Sequence, residues 1–312
     1  MQFWMTLAVS LLMVGACSVN GQEAVLNDTC GACEITCASC KAEAIKESVR
    51  QNVKRKLFRT IELKTIKNEQ RQKSSVKDLN NFPSLYQYPF NRARENKAYK
   101  LNVNSEQIPV YCHMVKAELE ACGGGGWTLV MKIDGKKDTF HYDSKLWTNK
   151  NELNRLGGTL LDHHETKLPT YWSTPFSKIC LAMKTSDSQV NSIVINQAAN
   201  SLYALIADGA EKRFTKNLGR HTWKKLIGNQ ASLQINCNRE GFNLKSPNYH
   251  SEARIGIISN QENDCASPDS RIGFGTGGYP NGHNTCGNVA SAIHHPDNGG
   301  KDIRAMGYIL VQ

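Results

Sequence analysis

The sequence predicts an α+β protein in two parts, a Cys-rich, basic helical N-terminal segment and a larger domain of strands, short helices and one loop-rich stretch. Three observations carry this. Four cysteines crowd between Cys30 and Cys40 and are followed by a run free of Gly and Pro, Ala42 to Lys77, with apolar residues at every fourth position. Around Asn80 the texture changes to Phe82-Pro83, Tyr88-Pro89, scattered aromatics and rising glycine, leaving about 230 residues, enough for one sizeable core. After that point short β-like apolar runs alternate with Gly, Asn, Asp and Pro.

The elements follow in order. Phe3 to Cys17 is apolar except for Thr6, Ser10 and Gly15, too short to span a bilayer and suited to a secretory h-region, with cleavage after Ser18 or Gly21. Residues 1–21 are therefore read as a signal peptide and the mature chain as secreted and extracellular, with no membrane span. Eleven cysteines fit an oxidising compartment, and loss of Cys17 leaves an even ten: Cys30, Cys33, Cys37, Cys40, Cys112, Cys122, Cys180, Cys237, Cys265 and Cys286. Asn27-Asp28-Thr29 is the single N-glycosylation sequon, which makes Asn27 the candidate acceptor. The two CxxC pairs, Cys30/Cys33 and Cys37/Cys40, are separated by three residues, tight for a zinc site; disulfides within or between chains are the expectation, and with them a disulfide-linked oligomer.

In the second half of the 22–80 segment, Ile45, Val49, Val53, Leu57 and Ile61 recur every fourth residue, which predicts a helix whose apolar stripe drifts rather than a long heptad seam. Between Lys41 and Lys77 twelve Lys or Arg stand against four Glu, so eight of the ten net positive charges lie there. An exported protein rarely meets nucleic acid. Lys54, Arg55, Lys56 and Arg59 therefore mark a segment for acidic matrix polymers or sulfated glycans, or a solvated helix face.

In residues 81–312, strands are expected at Pro109 to Met114, Trp127 to Ile133, Ile179 to Met183, Asn191 to Ile195, Ser232 to Asn236, Arg254 to Ile258 and Met306 to Val311. Helices are expected at Asn151 to Leu156 and Thr222 to Ile227, and the four glycines Gly123 to Gly126 must turn. Asn260 to Lys301, poor in aliphatics and rich in Gly, Asn, Asp, Pro and His, reads as binding loops or a cation-stabilised segment.

Val110-Tyr111-Cys112-His113-Met114 followed by Gly124-Gly125-Gly126-Trp127-Thr128 resembles the opening of the fibrinogen C-terminal domain. Ile272-Gly273-Phe274-Gly275, Gly277-Gly278-Tyr279-Pro280 and Cys286-Gly287-Asn288 are similar to the Gly-rich segment of intelectins, lectins of the same superfamily. With Tyr171-Trp172-Ser173, Asn236-Cys237-Asn238 and Asn260 to Cys265, the domain most resembles the divergent fibrinogen-like proteins of corals and sea anemones, including those of the coral skeletal organic matrix. The resemblance implies a twisted antiparallel sheet with short helices and a loop-rich binding subdomain. It implies calcium near the late cysteines, with Asn263, Asp264 and Asp269 as candidate oxygen ligands, although the intelectin Asn-Thr-Glu-His run is missing. It also implies a Cys265–Cys286 bridge; Cys180 with Cys237 is a second pair, and Cys112 has Cys122 or Cys40 as alternatives.

No enzyme motif stands out. His163-His164-Glu165 and His294-His295-Pro296-Asp297 lack metalloprotease spacing, though His294, His295 and Asp297 can bind a transition metal adventitiously, and neither a nucleophile elbow nor a P-loop occurs. The sequence therefore points to a secreted matrix protein with a structural or interaction role, with a calcium-dependent lectin or recognition protein as the alternative.

Overall fold

The structure, a computed structural model, describes residues 49–51, 53, 95–186 and 189–312. Residues 49–51 and 53 are helical and exposed; the remainder of the expected basic helix, including Lys54, Arg55, Lys56 and Arg59, lies outside the described residues, as do Asn27, Cys30, Cys33, Cys37 and Cys40.

Among the described residues the strands are β1 (Lys97–Val103), β2 (Glu106–His113), β3 (Trp127–Asp134), β4 (Thr166–Lys167), β5 (Phe176–Lys184), β6 (Val190–Ala199), β7 (Lys212–Arg213), β8 (Asn236–Leu244), β9 (Glu252–Asn260), β10 (Ser270–Gly277), β11 (Cys286–Ala290), β12 (Lys301–Arg304) and β13 (Met306–Val311). Three short helices, α1 (Thr170–Ser173), α2 (Leu202–Ile206) and α3 (Arg220–Lys224), cover connections. The strands form two sheets, ordered β1-β2-β3-β13-β5-β6 with β4 against β3, and β12-β11-β10-β9-β8-β7. Every pairing is antiparallel.

The apolar runs 179–183 and 306–311 become strands buried on both faces, because β13 inserts between β3 and β5. Side chains alternate across them. Ile179, Leu181, Met183, Ile309 and Val311 enter one core with Trp147, Trp223 and Phe242, while Cys180, Ala182, Met306, Tyr308 and Leu310 join Leu101, Val110 and Trp127 in a second.

Several sequence expectations are corrected. Asn151 to Leu156 is not a helix: Leu153 pairs with Lys167, Asn154 takes a left-handed φ of 46°, and Arg155–Thr159 forms a 3-10 turn. Ser232 to Ile235 precedes the strand instead of forming it, since Ser232 and Gln234 donate their N–H groups to the side chains of Asn288 and Ser270. The Gly-rich 260–301 stretch contains β10 and β11. There Gly273 lies opposite Gly256, and a Cβ on either would fall 2.6 Å from a carbonyl oxygen of the neighbouring strand. Glycine lets these two backbones close, which composition alone disguises as a loop.

The cysteines pair differently as well. Cys122 joins Cys180, and Cys237 joins Cys265 across 28 residues. These two bridges overturn both the Cys265–Cys286 and the Cys180–Cys237 expectations, and Cys286 is a buried free thiol. It sits in the core beneath Gly307, whose missing Cβ would come 2.5 Å from the sulfur, while Cys265 is carried outward by its loop. Cys112 is disulfide-bonded, and the Cys122–Cys180 bridge removes Cys122 as its partner.

Candidate functional site

The second sheet presents its most chemically concentrated group where five connections meet: the approach to β8, the turn into β9, the entry and exit of β10, and the turn after β11. Asp269, just before β10, is 2% exposed. Its N–H donates to Gln234 Oε1 at 3.0 Å and its carbonyl accepts from Ser291 N at 3.0 Å, so both backbone and side chain are pinned. One carboxylate oxygen accepts from His250 Nδ1 at 2.9 Å. The other faces Gln234 Nε2 at 3.4 Å and His294 Nδ1 at 3.7 Å, so it is held loosely.

Tyr279 stands against both imidazoles, edge to face, with ring centroids 5.6 Å from His250 and 6.2 Å from His294. Its hydroxyl meets Ser291 Oγ at 3.2 Å. Because a carboxylate oxygen only accepts, His250 carries its N–H on Nδ1, and Nε2 is the ring atom left for a ligand. Gln261 closes one side, contacting Gln234 and lying 3.5 Å from His294 Nδ1.

The backbone that holds Tyr279 is built from below. Arg271, wholly buried on β10, donates to the carbonyls of Tyr279 (3.1 Å) and Asn281, and to Ser251 Oγ at 3.4 Å. Burial without a carboxylate in contact pulls its pKa down to about 9. Ser251 Oγ donates to the same Tyr279 carbonyl, and Tyr279 N–H donates to Tyr249 O at 2.9 Å. Gly278 has φ 76°, and a Cβ there would stand 1.9 Å from His250 O, so only glycine lets the two loops meet. On the far side the Cys237–Cys265 bridge fastens the 261–268 loop, which carries Gln261, to β8.

The rim is apolar. Among the described residues from 95 onward, six large hydrophobic side chains are exposed, and four of them, Ile235, Tyr249, Tyr279 and Ile293, are members of the site or chain neighbours of its members. Such clustering marks a contact surface, whereas single exposed apolar residues scattered over a protein carry no such meaning.

The sequence-predicted residues fall partly here. Asp269 belongs to the site, though with histidines rather than with Asn263 and Asp264. Asp264 is exposed, and its carboxylate accepts from Ala266 N at 2.8 Å and Asn260 Nδ2 at 3.3 Å, closing its own turn; Asn263 is exposed. The three therefore do not converge, and among the described residues no group of three or more His, Cys, Asp or Glu is placed to hold a metal ion. His294, His295 and Asp297 do not gather either, because Asp297 is engaged by Arg220 (2.7 Å), Lys224 (2.6 Å) and the N–H of Leu233. In the other candidate triplet, His164 pairs with Asp162 at 2.9 Å and Glu165 accepts from Asp134 N. Sequence reasoning missed Gln234, His250 and Tyr279 as site members; Gly278-Tyr279-Pro280 was the signal within reach, since a glycine beside an aromatic before proline marks a constrained loop.

Compared with family models and with curated proteins, the chain matches none.

Proposed function

We propose that the chain is a secreted, disulfide-stabilised interaction protein of an extracellular matrix, with a fibrinogen-related C-terminal domain that recognises a glycan at the Tyr279 site. The observation that carries this is the grouping of exposed Tyr249 and Tyr279 and half-buried His250 and His294 over the buried Asp269. An aromatic face flanked by imidazole nitrogens suits a ligand with an apolar ring face and hydroxyls at its edge. A carboxylate beneath fixes the rings without being consumed by the ligand. Catalysis is not part of this reading: the described free thiol, Cys286, is held far from its thiolate form by burial, which pushes its pKa well up.

In the same reading the basic segment around Lys54, Arg55, Lys56 and Arg59 supplies adhesion to acidic polymer, and the domain supplies selectivity. The test is binding of the mature full chain to a panel of neutral and acidic polysaccharides, with calcium and with chelator, at low and high salt. Tyr279→Ala and Asp269→Asn should each weaken capture of at least one polysaccharide about tenfold or more, while Gln at the four basic positions removes only the salt-sensitive component. Glycan capture unchanged in both site variants would overturn the assignment of the site. Loss on chelation would bring calcium into it.

A further inference from the structure

The two sheets have four edges, and they are treated differently. β7 is two residues long and both are basic; β12 carries Lys301, Asp302 and Arg304 within four residues; β1 carries Lys97 and Lys100. Short length and charge are the usual ways of blocking an edge against another strand. β6 has neither. Its ten residues, VNSIVINQAA, include no charge, no proline and no glycine, and four are β-branched.

Among the described residues no strand lies on its outer side, where the contacts are to side chains: Ser192 Oγ accepts from Ala121 N at 3.2 Å and Gln197 Oε1 from Thr215 N at 3.3 Å. β6 pairs with β5 alone, in unbroken register from Lys184↔Val190 to Lys178↔Asn196, and the ladder becomes irregular only beyond that. Among the described residues no backbone group of Val190 to Ala199 bonds to backbone outside β5. Asn196 and Ala198 are exposed. At the other end, Val190, Asn191 and Ser192 border an open groove of about 1000 Å³.

We propose that β6 is a self-association edge, on which β6 of a second copy of this chain pairs antiparallel about a two-fold axis, joining the first sheets of two molecules. The walls of the groove choose the occupant. They carry charges of both signs, Lys116, Lys224 and Lys225 with Glu118 and Glu120. An isologous contact sets a patch against itself, so a patch that carries both signs complements its own copy while a one-signed patch repels it. A strand ladder of this length is a small interface, of the transient class, populated at roughly tens of micromolar. The proposal is independent of the glycan site, since β6 lies in the other sheet.

The test uses the mature chain after disulfide-linked species have been removed by gel filtration, so that only non-covalent association is read. Sedimentation velocity up to about 200 µM should show a reversible monomer–dimer equilibrium, with amide exchange at Ile193 to Asn196 slowing as concentration rises. Asn196→Lys, or Ala198→Lys if the first does not fold, brings like charges together across the two-fold axis and should weaken the dimer about tenfold or more, with thermal unfolding of the monomer unchanged. A chain that stays monomeric throughout would overturn the proposal. So would a dimer indifferent to both lysines with β6 amides unprotected, or protection of β6 gained only when a foreign peptide is added.

Discussion

His113, at the end of β2, has no exposed surface, and its Nε2 has no hydrogen-bond partner; Nδ1 lies 3.5 Å from the Tyr111 hydroxyl. Burial disfavours the imidazolium and lowers the pKa from 6.5 to about 4. In the unfolded chain the same ring protonates near 6.5, so between that value and about 4 the unfolded state binds a proton that the folded state refuses. Its cost to stability is absent above pH 6.5, grows as pH falls through the window, and levels off below about 4 at about 3 kcal/mol. The assay is urea unfolding from pH 7.5 to 3.5 for the wild type and for His113→Gln, which fills similar space but does not titrate. The wild-type-minus-variant stability should drop by about 3 kcal/mol across the window, with a steepest slope near one proton. Other groups titrate there: Glu252, pushed up to about 6 by burial, stabilises the fold as pH falls, and Asp162, held down to about 2, weakens it at lower pH. Both cancel in the difference between the two proteins. A difference independent of pH, or an NMR titration placing His113 near 6.5 in the folded protein, would refute the reasoning.

Other outcomes follow from the same structure. Opening Cys237–Cys265 by double Ser substitution should cost about 3.5 kcal/mol and opening Cys122–Cys180 about 4 kcal/mol, from loop-closure entropy over 28 and 58 residues; thermal unfolding should fall by about 2–4 °C per kcal/mol, and the first should also raise amide exchange around Gln261. Gly278→Ala places a Cβ against His250 O at a positive φ and should cost about 2 kcal/mol or more in denaturant unfolding, together with loss of ligand capture at the Tyr279 site. Arg271→Met keeps the stem of the side chain but frees the Tyr279 and Asn281 carbonyls; proteolysis should then nick the 279–283 loop, whereas a resistant loop would show that Ser251 and Tyr249 hold it alone.

Much of the fold was legible in the chain. The apolar runs at 109–114, 127–133, 179–183, 191–195, 254–258 and 306–311 are all strands, since a short run of aliphatics bounded by turn residues has few other ways to bury itself. The glycines at 123–126 make the turn into β3 for an equally local reason, and helix α3 overlaps the Thr222 to Ile227 expectation. The cysteine content foretold disulfides, which the structure holds.

Tertiary structure alone decided the rest. That the last strand, β13, sits between β3 and β5 is settled by which faces need covering, a property of the assembled sheet. The partner of a cysteine depends on which two backbones come within about 6 Å, so the Cys265–Cys286 bridge that the resemblance implies gives way to Cys265 with Cys237, leaving Cys286 in the core. Asp269 looked like one of three neighbouring oxygen ligands, yet the chain turns its carboxylate inward to His250 and His294, 19 residues before it and 25 after. Local pattern tells how a segment buries its side chains; what stands on the other side of them is a long-range fact, and it is the long-range contacts that make the site.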